Sequence, residues 1–431
     1  CKLNDIYNFI DYRGATPTKI TNGIPLVTAK NVKSGYIDYT IDDYISEEEF
    51  KERQQRGISK KGDILFTTEA PLGNAALADM EKFSAGQRLI TFQQYGSKNE
   101  LINYVMLMFI LSDFFQQQLY VNKTGSTVAG IKAAILKTLW IPVPPYNEQL
   151  RISNTLKSAI NLIDSISKNK EILSTSISNT KSKILDLAIR GKLVPQDPND
   201  EPASVLLERI SAEKEELIKQ GKIKRDKKES VIFKGDDNSY YLRTGRVEES
   251  LEDWRFDDLP ETWKICCLGE LCDYGDCINV NTEDIAEDAW ILDLEDIEKD
   301  TGTVLKKVTK DQRNSVSTKH KFHSGQVLYS KLRPYLNKVV LSDADGYCTS
   351  EILPLEFKNC VLPEYARYYL MSGTFIAYAN HCSYGVKMPR LGTTDGKKAI
   401  FSLPPLSEQK RIVETIDFCF VQLNKISEAL A

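Results

Sequence analysis

The stretch "VPPYNEQLRISNTLKSAINLIDSI", Val143 to Ile166, has a second copy 260 residues further on, "LPPLSEQKRIVETIDFCFVQLNKI", Leu403 to Ile426. Pro144/Pro404, Pro145/Pro405, Glu148/Glu408, Gln149/Gln409, Arg151/Arg411, Ile152/Ile412, Thr155/Thr415 and Ile166/Ile426 coincide in register. The paired prolines read as punctuation before a helix. Asn147 and Ser407 suit an N-cap, and Glu148 and Glu408 put negative charge on the first turn. A heptad seam follows: Ile152, Leu156, Ala159, Ile163, Ile166, Lys170, Leu173, Ile177, Thr180, Ile184 and Leu187 in the first copy, and Ile412, Ile416, Cys419, Leu423, Ile426 and Leu430 in the second. Only Lys170 and Thr180 interrupt it. Two such seams in one chain are expected to bury each other as a coiled coil. The alternative is a single long amphipathic helix lying on a domain.

Pro144-Pro145-Tyr146 is also three quarters of the Asn/Asp-Pro-Pro-Tyr motif with which amino-methyltransferases hold an extruded adenine. The residue that would accept from the exocyclic amine is here Val143, and the second copy has Leu406 in place of the tyrosine. No Gly-x-Gly turn for a methyl-donor cofactor occurs in the chain. An autonomous methyltransferase is therefore a poor reading.

The repeat continues upstream. "KGDILFTTEAPLGNAALA" (Lys61 to Ala78) matches "SGQVLYSKLRPYLNKVVL" (Ser324 to Leu341), each a glycine, an apolar strand, a polar loop, then Pro71/Pro334 and Asn74/Asn337. "AKNVKSGYI" (Ala29 to Ile37) has a looser echo in "LEDIEKDTG" (Leu294 to Gly302), and "LNDI" (Leu3 to Ile6) in "LGEL" (Leu268 to Leu271). The chain is thus a duplicated unit, a globular domain of roughly 140 residues followed by a long helix. Strand-like runs mix with helical stretches near Asn103 to Leu119 and Pro363 to Met371, which indicates an α+β fold. Between the copies, the Pro/Asp/Asn cluster from Val194 to Pro202 stops the first long helix, and a second helix is expected over about Ala203 to Gln220. A charged, lysine-rich segment after it reads as a solvated linker rather than a DNA-binding arm.

The 431 residues, 42% of them hydrophobic and 27% charged, are enough for two or three domains with real cores. No run of about 18 apolar residues suggests a membrane span. No signal peptide is recognisable, and an opening Cys1 in place of Met suggests a trimmed N-terminus. The nine cysteines include no C-x-x-C pair. Cys266, Cys267, Cys272 and Cys277 could meet His320 and His323 at a metal, but ordinary residues of a reducing cytoplasm are the better reading. The net charge of −4 leaves room for a local basic groove.

Three features together resemble the specificity subunits of type I restriction-modification systems. They are the doubled Pro-Pro-x-x-Glu-Gln-x-x-Ile element, the segment "KILDLAIRGKLVPQDPNDEPASVLLERI" (Lys183 to Ile210), and "LPETWKICCLGEL" (Leu259 to Leu271), which looks like the opening of a target recognition domain. The resemblance covers nearly the whole chain. It implies a non-catalytic, cytoplasmic protein with two target recognition domains separated by long helices that form an antiparallel intramolecular coiled coil. Each domain would read one half of a bipartite sequence in double-stranded DNA. The helices would dock two modification subunits and, in the full complex, restriction subunits. S-adenosylmethionine, ATP and Mg would enter through those partners, with no cofactor on this chain. The expected boundaries are 1–143 and 257–403 for the recognition domains, 144–221 for the central helical region, 222–256 for a linker and 404–431 for a short distal helix. The sequence departs from the family pattern in two places. The first domain lacks the Leu-Pro-x-x-Trp opening, and the last helix has only 26 residues after Pro405.

Candidate DNA contacts fall in the loops after the repeated strands, where the copies differ while their flanks agree. They are Thr67, Thr68, Glu69 and Asn74, with Thr124, Gly125, Ser126 and Thr127, in the first domain. In the second they are Lys331, Arg333 and Tyr335, with Tyr384, Lys387 and Arg390. Arg13 and Lys19 are phosphate candidates. Glu148, Gln149, Arg151, Glu408, Gln409 and Arg411 are candidates for partner docking, with helix capping and intrachain ion pairs as the alternative. A competing class is a coiled-coil adaptor that joins proteins without reading DNA; salt-insensitive binding would distinguish it.

Overall fold

The structure, a computed structural model, describes residues 1–12, 16–95, 102–125, 129–222, 230–237, 239–251, 259–313 and 316–430. It divides into two compact units, Cys1–Lys168 and Asn169–Ala431.

Unit 1 runs α1 (Leu3–Ile6), β1 (Tyr7–Asp11), β2 (Ile24–Val27), β3 (Tyr44–Ile45), α2 (Glu47–Arg53), β4 (Ile64–Thr67), β5 (Ala75–Leu77), β6 (Ser84–Ala85), β7 (Leu89–Gln94), α3 (Asn103–Leu111), α4 (Asp113–Val121) and α5 (Ala133–Leu136). An antiparallel sheet in the order β1-β7-β4-β5 sits beside a small mixed sheet, β3-β2-β6. Strand β4 explains the layering. Successive side chains of a strand point to opposite faces, and β4 is buried on both. Ile64 and Phe66 join Tyr7, Phe92, Ile110 and Phe115 on the helical side. Leu65 joins Ile10, Val27, Val32 and Leu89 on the other. The helical run expected over Asn103 to Leu119 is broken at Ser112, whose backbone is extended between α3 and α4.

The helix α6 (Tyr146–Ala188) is continuous for 43 residues and carries the chain from unit 1 into unit 2. There follow α7 (Ala203–Lys219), β8 (Ser230–Lys234), β9 (Tyr240–Thr244), β10 (Val247–Ser250), β11 (Lys264–Cys267), α8 (Leu268–Leu271), β12 (Ile278–Val280), β13 (Ile291–Leu292), β14 (Lys319–Phe322), β15 (Val327–Ser330), β16 (Val339–Leu341), β17 (Gly346–Thr349), β18 (Ile352–Leu355), α9 (Pro363–Leu370), α10 (Gly373–His381), α11 (Thr393–Lys398), β19 (Ile400–Leu403) and α12 (Leu406–Leu430). Unit 2 repeats the plan of unit 1. Strand β15 pairs with β16 and β18 as β4 does with β5 and β7. The parallel pair Leu292/Cys348 stands where Val27/Ala85 stands. Even the weak echo at Ala29 to Ile37 is structural, since the bridge Val32–Ile37 recurs as Ile297–Val304. Both units are α+β.

Three expectations need correction. Within 222–256, residues 230–251 are not a solvated linker. The strands β8, β9 and β10 form an antiparallel sheet whose Ile232 and Leu242, with Leu251, pack on Ile265 and Ile400. The second correction concerns the caps, because α6 and α12 open at Tyr146 and Leu406, which puts Asn147 and Ser407 inside the first turn. The third is the extent of the coiled coil. Helices α6 and α12 do meet, and they run antiparallel. Ser402 Oγ donates to the carbonyl of Ile189 at 2.7 Å, while further along Lys181 Nζ reaches Asn424 Oδ1 at 2.6 Å and lies over the Phe420 ring. Ile412, Ile416, Leu185, Ala188 and Ile189 share one buried cluster. These contacts lie along the last turns of α6. Ile163, Ile166 and Leu173 of the expected seam are exposed.

Candidate nucleic-acid interface

In each unit one frame of backbone hydrogen bonds gathers the loops. In unit 1, Thr68 N–H donates to the carbonyl of Arg88 at 2.9 Å, Ile131 N–H to Thr68 at 3.0 Å, and Thr124 and Gly130 exchange bonds of 2.7 and 3.0 Å. The loop after β4, the bridged residues Thr124 and Gly130 and the turn between β6 and β7 therefore converge. In unit 2, Lys331 N–H donates to Glu351 at 3.0 Å, Leu391 to Lys331 at 3.0 Å, and Tyr384 and Arg390 exchange bonds of 3.1 and 2.9 Å. The frame is the same and the side chains on it differ.

Several sequence candidates prove to be parts of this frame. Thr67 and Thr68 are fully buried. The Thr67 hydroxyl donates to the carbonyl of Asn74 and accepts from its N–H, and the Thr68 hydroxyl donates to the carbonyl of Arg88 at 3.1 Å. Asn74 Nδ2 is spent on the carbonyl of Val32. The Thr67 and Thr68 hydroxyls are thus spent on the frame. Lys19 is exposed and paired with Asp43 at 2.7 Å. Thr124, Gly125, Tyr335, Tyr384 and Lys387 are exposed on these loops, and Lys331 and Arg333 are half-buried there. Arg13, Ser126 and Thr127 lie outside the described residues.

The third loop was missed. It brings Gln87 and Arg88 into unit 1 and Glu351 into unit 2, at equivalent places. Its only trace in the sequence is a turn before an apolar strand, "GQRLITF" against "TSEILPL" (from Gly86 and Thr349). Both units hold an arginine–glutamate pair there, with the polarity reversed. Arg88 Nε meets Glu69 at 2.9 Å. Glu351 takes Arg390 in a fork, with Nε at 3.0 Å from both oxygens and Nη2 at 2.8 Å. The bonds from Glu351 push the Arg390 guanidinium pKa up. Beside Arg88 a cavity of about 200 Å³ is walled by Lys19, Lys30, Gln87 and Arg88 over Leu26 and Ala29.

The docking candidates divide in the same way. Gln149 and Gln409 are fully buried. Gln149 Oε1 accepts from Ile102 N–H at 2.8 Å, just before α3, and its Nε2 donates to the carbonyl of Pro144. Gln409 Oε1 accepts from Leu362 N–H at 2.8 Å, just before α9, and its Nε2 donates to the carbonyls of Cys360 and Pro404. The repeated glutamine is a staple between each Pro-Pro turn and the start of an earlier helix, which corrects its expected partner role. Glu408 is buried as well, accepting from Trp263 Nε1 at 2.9 Å and from Gln196 at 2.5 Å; burial raises its pKa. Arg411 pairs with Asp200 at 2.6 Å. Thus the "VPQDPNDEP" segment and the Trp263 opening are tied to the head of α12. Gly191, at φ +66°, lies where a Cβ would fall 2.5 Å from Pro260. Glu148 and Arg151 have no such frame and are exposed.

Among the described residues no three His, Cys, Asp or Glu side chains converge to hold a metal. Cys266, Cys267 and Cys272 are buried, and His320 Nδ1 is engaged with the carbonyl of Ile352. No helix among the described residues is long and apolar enough to cross a membrane.

The family described as "Type I restriction modification DNA specificity domain" matches residues 1–174 and 260–429. The specificity subunit of the type I restriction enzyme EcoDI from Escherichia coli is 23% identical over 381 residues, which is 86% of this chain and 75% of that one. The fold resembles the crystal structure of the HsdS subunit from Thermoanaerobacter tengcongensis at a TM-score of 0.53 and 15% identity, covering all of this chain and 91% of that one. A chain from a structure described as the basis of complex assembly and conformational transition in the type I R-M system gives a TM-score of 0.57 at 15% identity, covering all of this chain and 92% of that one.

Proposed function

Because this chain belongs to the type I restriction-modification DNA specificity family, we propose that units 1 and 2 each read one half of a bipartite target in double-stranded DNA. As a specificity subunit the protein is non-catalytic. The observation that carries the reading is the shared loop frame with unlike side chains, Glu69 and Arg88 against Leu332, Glu351 and Arg390. A common scaffold with exchanged loop chemistry is what two half-sites of different sequence require. Base-edge contacts carry the sequence information, while phosphate contacts fix register and weaken with salt. Each bidentate base contact discriminates by about 1–3 kcal/mol, so three or four per unit would separate target from bulk DNA. The proposed domain limits are those expected from the sequence, with residues 230–251 assigned to the second recognition unit.

Partner subunits would supply the chemistry. Two modification subunits would bring S-adenosylmethionine, and restriction subunits ATP and Mg; the protein would act in the cytoplasm. Arg151, exposed on the second turn of α6, remains with the exposed Glu148 as a docking candidate outside the buried set. Arg151→Glu is expected to weaken binding of a modification subunit about tenfold at low salt, and less as salt rises. Pull-down with a tagged modification subunit reads this, and undiminished capture would remove Arg151 from the docking surface.

The long helices would set the distance between the half-sites. A helix rises about 1.5 Å per residue and B-DNA about 3.4 Å per base pair. Inserting one turn of four residues into both α6 and α12 should lengthen the spacer by roughly one or two base pairs. Methylation mapping of a host carrying this chain with its modification subunit tests the whole reading. It reports both half-sites and the spacer, and repeating it with the insertion variant reports the change. An unaltered spacer would refute the ruler. A DNA preference absent from the wild-type complex would leave the adaptor reading in its place.

A further inference from the structure

We propose that Arg88 is the principal specificity-determining residue of unit 1, that it reads a guanine through the major groove, and that Glu69 positions it. The inference rests on the reading of unit 1 as a recognition domain.

The two reversed ion pairs sit on the same backbone frame. In unit 2 the pair is closed. Arg390 gives Nε and Nη2 to Glu351 and Nη1 to the carbonyl of Met388 at 3.1 Å, so each guanidinium nitrogen has a protein partner. In unit 1 the pair is open. Arg88 Nε lies 2.9 Å from Glu69 Oε1 as an ion pair, and among the described residues its guanidinium makes none of the directed hydrogen bonds that close the Arg390 pair. Its two terminal nitrogens are the fork that matches O6 and N7 of guanine. A side chain held at Nε loses less freedom on binding than a mobile one. The Arg88 side chain is also the more accessible, 56% exposed against 30% for Arg390.

The backbone points the same way. Arg88 has φ +64°, a left-handed conformation that a non-glycine residue adopts at a cost and that persists where the surroundings over-determine it. Here the surroundings are the Thr68 bonds, since both its N–H and its hydroxyl donate to the Arg88 carbonyl. The turn is thereby fixed, and Arg88 lines the cavity shared with Lys19, Lys30 and Gln87. Lys30 and Lys19 line the same cavity and would supply phosphate contacts there, Lys19 on release from Asp43. Arg390, an equally plausible reader from sequence, is instead a tie that holds the 384–390 hairpin to the β17–β18 turn.

The test uses the full chain with its modification subunit, methylation mapping, and competition binding against duplexes with each base pair of the mapped target replaced. Arg88→Lys keeps the charge and loses the fork. Arg88→Asn tolerates the left-handed backbone and removes the charge, so a folding failure is not built into it. Both are expected to relax discrimination at a single guanine of one half-site by about tenfold to a hundredfold, leaving the other half-site unchanged. Glu69→Gln is expected to relax the same position by a smaller factor, with the salt dependence of binding unaltered. A full-stringency wild-type motif with Arg88→Lys, or a uniform loss across all sequences with Arg88→Asn, would overturn the inference while leaving the recognition reading standing. A wild-type complex that marks no motif would overturn both.

Discussion

Arg313→Ala should cost unit 2 about 3–5 kcal/mol, the range for removing one partner of a buried ion pair. Arg313 is 11% exposed and reaches Asp293 and Asp296, each at 2.5 Å; the Asp296 side chain is fully buried. Truncation leaves that carboxylate with the Asp293 N–H at 2.8 Å and, as its nearest remaining cation contact, Lys306 at 3.6 Å and largely in solvent. A pair of that kind compensates weakly, which places the expectation near the lower end of the range. The equivalent residue of unit 1 shows why the cost is specific. Asn31 occupies the place of Asp296 and solves the same problem without charge: its Oδ1 accepts from Thr28, and its Nδ2 donates to the carbonyls of Asp38 and Ile41 at 3.0 and 2.9 Å. Asn31→Ala should cost only about 1–3 kcal/mol, the penalty for buried polar groups left without partners. Hydrogen exchange of the β13 and β17 amides reads the Arg313 effect. The added replacement Asp296→Asn should restore part of the loss, since it removes the stranded charge. An Arg313→Ala protein with unchanged exchange in those strands would show that the carboxylate is not confined as the geometry implies.

The sequence disclosed whatever recurs at short range. The Pro-Pro turns, the glycine-strand-loop-proline run at Lys61 to Ala78, and even the faint Asn31/Asp296 echo all mark equivalent places. Three kinds of feature were hidden, each for a physical reason. The loop carrying Arg88 and Glu351 has no repeated residue, because its content differs between the units while only its backbone bonds are kept. Strands β8 and β9 each bury a single residue, Ile232 and Leu242, too little periodicity to separate a strand from a charged linker. Recurrence was also no guide to function. Gln149 and Gln409 repeat in register, which suggested a docking surface, but the repetition serves a bond to an amide 47 residues earlier in each unit. Contacts of that range leave no local signal. The repeated pattern that does face solvent is smaller than the sequence implied: Glu148 and Arg151 are exposed, whereas Glu408 is enclosed by Trp263 and Gln196.

The glutamine staple carries the second large effect. Gln409→Ala should cost about 2–4 kcal/mol. It leaves the Leu362 N–H without its acceptor, takes the donor from two carbonyls, and opens a small void at a fully buried site. Gln149→Ala removes the same acceptor from Ile102 and the donor from the carbonyl of Pro144, and should fall in the same range. Replacement by glutamate sharpens the test, because the shape is kept while the chemistry is inverted. In Gln409→Glu the Oε1 contact with Leu362 survives, but a carboxylate oxygen would face the carbonyls of Cys360 and Pro404, which now sit 2.9 and 3.0 Å from an amide donor. Only the protonated acid can donate there, so the native state holds its proton to higher pH than the unfolded chain does. Between the ordinary glutamate pKa and that raised value the native state binds more protons, and stability must fall as pH rises. The variant should therefore be close to wild type near pH 4 and lose at least as much as Gln409→Ala near pH 8. The pH-dependence of hydrogen exchange in α9 and the first turns of α12 gives the measurement. A Gln409→Glu protein whose loss is the same at both ends of that range would mean that water, rather than the two carbonyls, meets the side chain, and that the repeated glutamine is kept for a surface after all.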